Sequence, residues 1–378
     1  MKIALLTDGI YPYVIGGMQK HSYYLAKYLA KNNIYVTVYH YLSNTEDTGV
    51  EKLFSDEEDK YIQIIAVDFP KVVNFPGHYL RACYLYSKNI LNAIDNIHDF
   101  DFIYVQGFSG WKLFEAKQNG LNTPPVGVNF HGLEMFQKSK TLRQSLEKIM
   151  FRPFVNKNLH SADICLSLGG KLSNIIYSIG INFTKIHDIA NGIENTWISP
   201  TVKPIYRPIK FLFVGRYERR KGIEELCSVI NKLLPEFEFE FNFVGSIPKY
   251  VQIKAPRVRY WGLIKDVEKL QLIFKQCDVL VCPSHSEGMP TVILEGMASG
   301  LAVIATDVGA VSEMVSEENG WLISPGSTHQ LHEALIDAIH ASDQELMNKK
   351  IKSQSIVREH FTWDKVIQKT IATIESVI

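Results

Sequence analysis

The fold is decided by residues 278–306, which read DVLVCPSHSEGMPTVILEGMASGLAVIAT. Residues 278–282 and 302–305 are short apolar runs of the kind that form buried strands. Between them, Pro290 suits the first turn of a helix, which the apolar spacing predicts over residues 290–299. A strand, a helix and a strand in this order predict neighbouring parallel strands in a sheet that helices cover on both faces.

The same alternation runs through the rest of the chain in two series. The other predicted strands lie at residues 2–7, 34–40, 102–106, 126–130 and 163–167 in the first series, and at 210–214 and 239–244 in the second. The other helices of the second series are predicted at about residues 222–234, 266–276, 328–341 and 344–360. Two such series predict an α/β protein with two doubly wound domains.

A segment with three prolines separates the two series. Residues 198–208 have little periodicity, as expected of a linker. The sequence therefore predicts a first domain over residues 1–200 and a second over residues 208–361. Residues 362–378 have the pattern of one last amphipathic helix.

The composition is that of an ordinary globular chain. Its 378 residues include 40 Lys and Arg against 40 Asp and Glu, which argues against nucleic-acid binding through bulk positive charge. No stretch approaches the ~18 to 20 apolar residues of a membrane-spanning helix. The first apolar run ends at Asp8 and predicts a strand, not a secretory signal. Five cysteines without a C-x-x-C pair favour reduced thiols in the cytoplasm over disulfides or a zinc site.

Parallel sheets bind ligands outside the carboxyl ends of their strands. In the first series Gly17 and His131 stand in such positions, and in the second series Arg216, Lys221 and Glu287 do. Glycine lets the backbone approach a ligand, and the other four residues carry charged or hydrogen-bonding groups. The sequence therefore predicts that strand ends from both domains present these groups towards one cleft.

Arg216 and Lys221 flank a turn that opens a helix. A planar guanidinium, a compact ammonium and the free N–H groups of a helix start suit the clustered negative charge of a nucleoside diphosphate. The alternative is a solvated basic turn, because Arg219 and Arg220 extend the positive run.

Glu287 lies in a tight loop marked by Gly288 and Pro290, and Glu295 lies just over one turn inside the following helix. Each carboxylate can accept hydrogen bonds from a vicinal diol, one on a sugar ring and one on a ribose. The helix start can hold a phosphate or a sugar hydroxyl between them. The alternative, two solvated carboxylates, suits Glu295 poorly because apolar residues surround it in the helix.

His131 can bind a sugar hydroxyl or stabilise a transition state, and the alternative is a structural histidine. Gly17 either lets the backbone approach a phosphate or only precedes a helix. The chain has no G-x-G, no P-loop and no H-E-x-x-H motif, so no dinucleotide fingerprint or metalloprotease site is predicted.

Together these segments resemble glycosyltransferase family 4, the retaining group 1 glycosyltransferases of GT-B fold. The likeness is carried by FVGRYERRKG at residues 213–222 and PSHSEGMPTVILEGMASGLAVIATDVGAVSEMV at 283–315, with shorter matches in GGMQKH, HGLE, NGIE, NGWLISPGS and FTW. The resemblance implies two Rossmann-like domains that face a cleft. It also implies that the final helix, residues 362–378, crosses back to the first domain.

The resemblance implies transfer of a sugar from a nucleoside-diphosphate sugar with retained anomeric configuration. The acceptor would be a glycan, a lipid-linked molecule or a small molecule, in surface polysaccharide or glycoconjugate biosynthesis. No metal or other cofactor is required in such a fold, and no protein nucleophile is expected. A nucleotide-sugar epimerase of the same fold and a non-catalytic nucleotide- or glycan-binding protein are the alternatives.

By position, the resemblance gives catalytic roles to His131, Arg216, Lys221 and Glu287. Arg216 and Lys221 would neutralise the diphosphate leaving group. Glu287 would bind the donor sugar, and His131 would contact it near the reacting carbon. The other implied donor-binding positions are Gly17 at the diphosphate, Glu295 at the ribose, and Gly288, Met289, Pro290 and Thr291 around the sugar and phosphate.

The acceptor side is expected in the first domain. Residues 138–157 hold six basic residues against one acidic residue, and residues 69–86 are rich in aromatics. A basic face edged with aromatics suits peripheral contact with an anionic membrane that carries a lipid-linked acceptor. The alternative is a solvated helix beside the acceptor loops.

Overall fold

The computed structural model describes residues 1–14, 16–41, 53–73, 75, 77–137 and 142–378, without the side chains of 142–147. The chain divides into two compact units, Met1–Ala190 with Val366–Ile378, and Asn191–Lys365.

The first unit contains seven strands and five longer helices in its described part. The strands are β1 (Lys2–Leu6), β2 (Tyr35–His40), β3 (Ile62–Ala66), β4 (Phe102–Gln106), β5 (Val126–Asn129), β6 (Ile164–Ser167) and β7 (Ile186–Asp188). The helices are α1 (Gly17–Lys31), α2 (His78–Asn92), α3 (Trp111–Gln118), α4 (Leu142–Ser161) and α5 (Lys171–Ser178). The sheet is parallel throughout, in the order β3–β2–β1–β4–β5–β6–β7.

The second unit repeats this plan. Its strands are β8 (Ile209–Val214), β9 (Phe239–Val244), β10 (Val258–Tyr260), β11 (Val279–Cys282), β12 (Ala302–Thr306) and β13 (Gly320–Ile323). Its helices are α6 (Ile223–Leu233), α7 (Val267–Gln276), α8 (Thr291–Ala298), α9 (Thr328–His340) and α10 (Asp343–Ile356). The sheet is again parallel, in the order β10–β9–β8–β11–β12–β13.

The last helix, α11 (Trp363–Glu375), begins in the second unit and continues into the first. From Val366 onward its residues belong to the first unit, where Gln368 Nε2 donates to Asn32 Oδ1 at 2.9 Å. The predicted return of the final helix is therefore confirmed. In the part of the chain that the structure describes, no helix is long and apolar enough to span a bilayer.

Both sheets are doubly wound. In each, the first strand lies inside the sheet, and the chain adds strands first to one side of it and then to the other. The direction changes between β1 and β4 in the first unit and between β8 and β11 in the second. In open sheets of this kind, ligands bind at the carboxyl ends of the strands beside this switch point.

The core of the second unit is rich in phenylalanine. β9 reads FEFNFV, and its period of two puts Phe239, Phe241 and Phe243 on one face, where all three are fully buried. Phe211 of β8 lies 5.9 Å from Phe241 between ring centroids. Each buried ring contributes roughly 1.5–3 kcal/mol through burial, so this layer holds β8 and its carboxyl end in a fixed position.

The proline-rich segment packs within the second unit. Residues 191–200, predicted in the first domain, and the predicted linker 198–208 both belong to the second unit. The N–H of Ser199 donates to the carbonyl of Ala298 at 3.0 Å, and the guanidinium of Arg207 donates to two carbonyls at the end of α9. Because these backbone contacts hold the segment, the two units divide near residue 190.

Candidate functional site

Two loops of the second unit meet at the switch point of its sheet. One covers residues 215–222, between β8 and α6, and the other covers residues 283–290, between β11 and α8. The N–H of His285 donates to the carbonyl of Arg220 at 2.6 Å and joins the two loops. The backbone therefore brings the predicted basic turn and the predicted acidic loop together.

Gly222 allows this close approach. Its φ of +70° lies in the left-handed region, and a Cβ at this position would stand 2.1 Å from the carbonyl oxygen of Pro283. Only glycine tolerates both conditions. Helix α6 begins at the next residue, so the glycine also turns the chain into the helix.

The loop after β12 supports the acidic loop from its other side. Gly309 has φ +56°, and a Cβ there would lie 2.1 Å from the carbonyl oxygen of Gly288 and 2.4 Å from that of Glu287. The N–H of Ala310 donates to the carbonyl of Gly288 at 2.8 Å. These contacts fix the backbone that carries Glu287.

The carboxylate of Glu287 lies between two cations. Lys221 Nζ is 2.6 Å from its Oε1, and Arg220 Nη1 is 3.2 Å from its Oε2. The Glu287 side chain is 9% exposed and that of Lys221 is 16% exposed. Charge-assisted hydrogen bonds of this kind are strong when they are shielded from water, so the three side chains form a defined cluster at the switch point.

Arg216 does not contact Glu287 directly. Its Nη2 lies 2.9 Å from Oε1 of Glu218, whose Oε2 accepts from Arg220 Nε at 2.8 Å. The Arg216 side chain is 75% exposed. Exposed ion pairs are worth about 0–1 kcal/mol, so this guanidinium can leave Glu218 for another anion at little cost.

Arg219 has a different partner from its neighbours. Its guanidinium binds both oxygens of Glu225 on α6, at 2.7 and 2.5 Å, and His285 Nε2 lies 3.1 Å from Oε1 of the same carboxylate. This pairing holds the basic turn against α6. Arg219 also lies 3.3 Å from Glu224 of α6, so its partners are on that helix, whereas Arg220 and Lys221 bind Glu287.

Glu295 lies on the exposed side of α8. Thr291 and Glu295 are four residues apart, share one face of the helix and are both partly exposed, whereas Ile293 and Leu294 between them are buried. The carboxylate therefore projects from the same helix whose first turn follows Pro290.

Met289 is buried and is tied to the start of the second unit. Its carbonyl accepts a hydrogen bond from Asn191 Nδ2 at 2.8 Å, and its sulfur lies 3.2 Å from the Asn191 N–H. Residues 191–194 are the NGIE segment. The asparagine thus orients the backbone immediately before α8.

Cys282 at the end of β11 lies near the cluster, but its thiol is not activated. Burial and the charge of Glu287 raise the pKa of Cys282 to about 11, so it carries its proton at neutral pH and is a poor nucleophile. Among the described residues, no group of three or more His, Cys, Asp or Glu side chains could hold a metal ion.

The switch point of the first unit has a partly buried carboxyl group. Asp8 follows β1, and Gln19 Nε2 donates to its Oδ1 at 2.7 Å. Burial raises the pKa of Asp8 to about 6, against an ordinary 3.8. Gly17, the first residue of α1, has nothing within 4 Å of an added Cβ, so open space adjoins this helix start.

His131 is held at both its backbone and its ring. Its φ of +55° is unusual for a residue other than glycine, and its N–H donates to Asn129 Oδ1 at 2.6 Å. Its Nε2 bonds to Oε1 of Gln106 at the end of β4. Desolvation and the neighbouring His21 lower the pKa of His131 well below 6.5, so the ring is neutral at physiological pH.

The predicted residues thus fall into two groups. Lys221 and Glu287 are in contact, Arg216 joins them through Glu218, and Glu295 lies on the helix that follows the loop. His131 and Gly17 belong to the first unit. The sequence did not single out Asp8, His21, Gln106, Asn191, Glu218 and His285, and it gave Arg220 only as part of a basic run. The polar ends of two apolar strands, at Asp8 and Gln106, were the available signal.

Comparisons with known proteins agree with this architecture. The profile of Glycosyltransferase Family 4 matches residues 15–197, and that of the group 1 glycosyl transferases matches residues 208–341. An uncharacterized glycosyltransferase of Methanocaldococcus jannaschii, MJ1178, is 27% identical over 97% of this chain and 96% of its own length.

Two solved structures share the fold over nearly the whole chain. Sucrose-phosphate synthase from Thermosynechococcus elongatus aligns with a TM-score of 0.79 and 19% identity, over 99% of this chain and 98% of its own. Anabaena HepE, solved in complex with UDP-glucose, aligns with a TM-score of 0.70 and 18% identity over 100% of both chains.

The two parallel Rossmann-like sheets and these structural matches define a GT-B protein, and the class of enzyme is a glycosyltransferase. The chain belongs to family 4, the group 1 glycosyltransferases. The predicted family, fold and enzyme class are therefore confirmed.

Proposed function

We propose that this enzyme transfers a sugar from a nucleoside-diphosphate sugar to a glycan, lipid-linked or small-molecule acceptor, with retention of anomeric configuration. Its pathway would be the assembly of a surface polysaccharide or glycoconjugate. The observation that carries the proposal is the cluster of Lys221, Arg220 and Glu287 at the switch point, directly before the first turn of α8.

The cations of the cluster suit the diphosphate leaving group. Negative charge develops on this group as the bond to the sugar breaks, and cations already in position stabilise it without reorganisation. Lys221 is held within 2.6 Å of Glu287, so its ammonium is in a fixed position. Arg216, exposed and weakly paired, would close on the diphosphate from the solvent side.

The carboxylates suit the hydroxyl groups of the donor. Glu287 would accept hydrogen bonds from the sugar and Glu295 from the ribose, because an ionised carboxylate only accepts. The backbone of residues 288–291 would bind phosphate and sugar oxygens through the N–H groups at the start of α8. The tight support of this backbone by Gly309 favours a preorganised site.

The family resemblance supplies the proposed roles in the first unit. His131 would accept or donate one hydrogen bond to the donor sugar near the reacting carbon. Gly17 would let the backbone approach the diphosphate, for which the open space beside its Cα leaves room. Both histidines of this region, His21 and His131, have lowered pKa values, so they would interact as neutral groups.

We propose that transfer needs no metal ion. The cations at residues 216, 220 and 221 provide the positive charge that a metal would otherwise bring to a diphosphate. Turnover should therefore persist when the protein is treated with EDTA and assayed without divalent cations.

Peripheral membrane contact through residues 138–157 also stays a proposal. Residues 138–141 lie outside the described residues, as do the side chains of 142–147. In the described part, Ile149 is 52% and Met150 42% exposed, and both are apolar. The described basic side chains there also bond to protein oxygens. Electrostatic attraction to anionic lipids would therefore need help from insertion of these apolar side chains into the membrane. Flotation with phosphatidylglycerol vesicles at low salt, against phosphatidylcholine vesicles, tests this contact.

UDP-sugars are the first donors to test, because HepE was solved with UDP-glucose. The purified enzyme is incubated with UDP-, GDP- or ADP-sugars and acceptor extracts, and released nucleoside diphosphate is measured. We expect release that depends on acceptor, with the product anomer matching the donor by NMR. Lys221→Met should lower this release, whereas Lys352→Met, the matched control that removes an exposed cation of α10, should not.

Two results would contradict sugar transfer itself. Conversion of the donor sugar without an acceptor would indicate an epimerase. Binding of donor without nucleoside diphosphate release in any extract would indicate a non-catalytic protein. An inverted anomer in the product would remove retention and leave sugar transfer intact.

A further inference from the structure

Three polar side chains of the first unit form a buried hydrogen-bonded chain. Gln106 Nε2 donates to His21 Nδ1 at 3.0 Å, and Gln106 Oε1 accepts from His131 Nε2. The two imidazole rings lie edge to face, with centroids 4.6 Å apart. Gln106 is fully buried and His21 is 5% exposed, whereas His131 is partly exposed.

Both imidazoles are neutral at physiological pH. Burial lowers the pKa of His21 to about 3, and burial beside His21 lowers the pKa of His131 well below 6.5. A neutral imidazole has one N–H donor and one lone-pair acceptor. The amide of Gln106 presents its NH₂ group, a donor, to one ring and its oxygen, an acceptor, to the other. One ring nitrogen must therefore accept a hydrogen bond, and the other must donate one.

This arrangement fixes the tautomer of His131. Because Gln106 Oε1 can only accept, His131 carries its proton on Nε2 and keeps a lone pair on Nδ1. His21 accepts at Nδ1 and therefore carries its own proton on Nε2. The backbone of His131, bonded to Asn129 Oδ1 at 2.6 Å with φ +55°, holds the ring from the other end, and strained residues of this kind are concentrated at functional sites.

We propose that Gln106, supported by His21, is a positioning residue that sets His131 as the neutral Nε2–H tautomer. His131 then offers Nδ1 as a hydrogen-bond acceptor to a hydroxyl group of the donor sugar. The role in transfer rests on the proposed function, whereas the tautomer is a property of this unit alone.

Nitrogen NMR of the full chain with ¹⁵N-labelled histidine tests the tautomer directly. His131→Asn and His21→Asn assign the two ring signals. In wild type we expect both rings as Nε2–H tautomers that do not titrate between about pH 5.5 and 8. In Gln106→Met, which removes both hydrogen bonds, we expect His131 to populate both tautomers.

Gln106→Glu provides an isosteric variant for the case that Gln106→Met does not fold. A carboxylate keeps the acceptor for His131 but adds a negative charge, so the pKa of both histidines rises. We expect kcat/KM of this variant to fall towards acidic pH as His131 gains a second proton and loses its lone pair. The profile should recover towards wild type at alkaline pH, which a purely structural role would not produce.

The kinetic arm compares Gln106→Met with the exposed control Lys352→Met. We expect about a tenfold lower kcat/KM for the first, the equivalent of one lost hydrogen bond, and no change for the second.

The proposal is overturned by an Nδ1–H tautomer of His131 in wild type, by a titration of His131 near pH 6.5, or by wild-type kinetics and tautomer in Gln106→Met. If no sugar nucleotide supports transfer, the proposed function fails, while the nitrogen spectra still decide the tautomer.

Discussion

Replacing Lys221 by methionine removes the ammonium from the Glu287 cluster and keeps most of the side-chain volume. The affected hydrogen bond joins Nζ and Oε1 at 2.6 Å, between side chains that are 16% and 9% exposed. A hydrogen bond to a charged group is worth about 1.5–3 kcal/mol. Because Arg220 still bonds to the other oxygen at 3.2 Å, we expect Lys221→Met to lower the free energy of unfolding by about 2 kcal/mol.

A double-mutant cycle isolates this interaction. Urea unfolding at pH 7.5 is measured for wild type, Lys221→Met, Glu287→Gln and the double variant. Residues in direct contact show interaction energies of about 0.5–3 kcal/mol, and the shielded geometry here favours a coupling of about 1.5–2 kcal/mol within that range. The double variant should therefore be less destabilised than the sum of the two single variants.

Measuring kcat/KM for transfer distinguishes the effect of each variant on catalysis from its effect on the free energy of unfolding. Lys221→Met should lower kcat/KM by at least about a hundredfold, the scale of one lost electrostatic contact to a transition state. Arg216→Met should lower it comparably but change the unfolding free energy by less than about 0.5 kcal/mol, because its pair with Glu218 is exposed. Lys352→Met removes an exposed pair on α10 and should change neither quantity.

The reasoning fails if the coupling between Lys221 and Glu287 is below about 0.3 kcal/mol, the level of independent sites. It fails equally if Lys221→Met retains near-wild-type transfer. A loss of transfer without coupling would mean that Lys221 acts on the donor but is not held by Glu287 in solution.

Three further variants test the fold, two at the switch points and one at the amino end of β11. The pKa of Asp8 is raised from 3.8 to about 6, so the folded state binds the proton more tightly than the unfolded state. The stability of wild type therefore falls as pH rises between these values. In urea unfolding, Asp8→Asn should have a free energy of unfolding about 3 kcal/mol above that of wild type at pH 8, and the same free energy below about pH 4. Gly309→Ala forces a Cβ to within 2.1 Å of the Gly288 carbonyl at a left-handed φ, and should lower Tm and weaken UDP binding in calorimetry; an unchanged Tm would contradict the contact. Lys350→Met removes a fully buried ammonium 3.0 Å from the fully buried Asp278 and leaves that carboxylate with Lys203 Nζ at 3.6 Å and the Lys210 N–H at 3.1 Å. It should lower the unfolding free energy by about 2 kcal/mol; a change below about 0.5 kcal/mol would show that the two remaining partners suffice.

The inner strands of both sheets could be predicted from sequence, whereas the edge strands could not. β8 and β11 are buried on both faces and read as continuous apolar runs. The four strands that the pattern misses, β3, β7, β10 and β13, are the four sheet edges. β3 is largely exposed and β10 has three residues, so neither produces an apolar run. Edge strands in general carry weak patterns of this kind.

The local parts of the site could also be predicted, because Lys221 and Glu287 each stand in a loop directly after a buried strand. The pairing within the basic run could not, since the three adjacent cations at residues 219–221 give no sign of which one Glu225 will bind. The chain of His21, Gln106 and His131 joins residues 85 and 25 positions apart. No spacing rule connects such residues, and only the fold brings them into contact.

The two units differ in the charge of their candidate binding groups, which are ionised in the second unit and neutral in the first. In the proposed reaction the diphosphate is charged, and Lys221 and Arg220 of the second unit would bind it; Glu287 balances their positive charges, because they are partly shielded from water. The donor sugar carries hydroxyl groups without net charge, and the first unit would offer it histidines that burial keeps neutral. A neutral ring needs no counter-charge but must have its donor and acceptor sides assigned, because either nitrogen can carry the proton. We propose that Gln106 makes that assignment. The amide in the first unit would thus fix the proton of a neutral ring, whereas Glu287 in the second unit balances the charge of two cations.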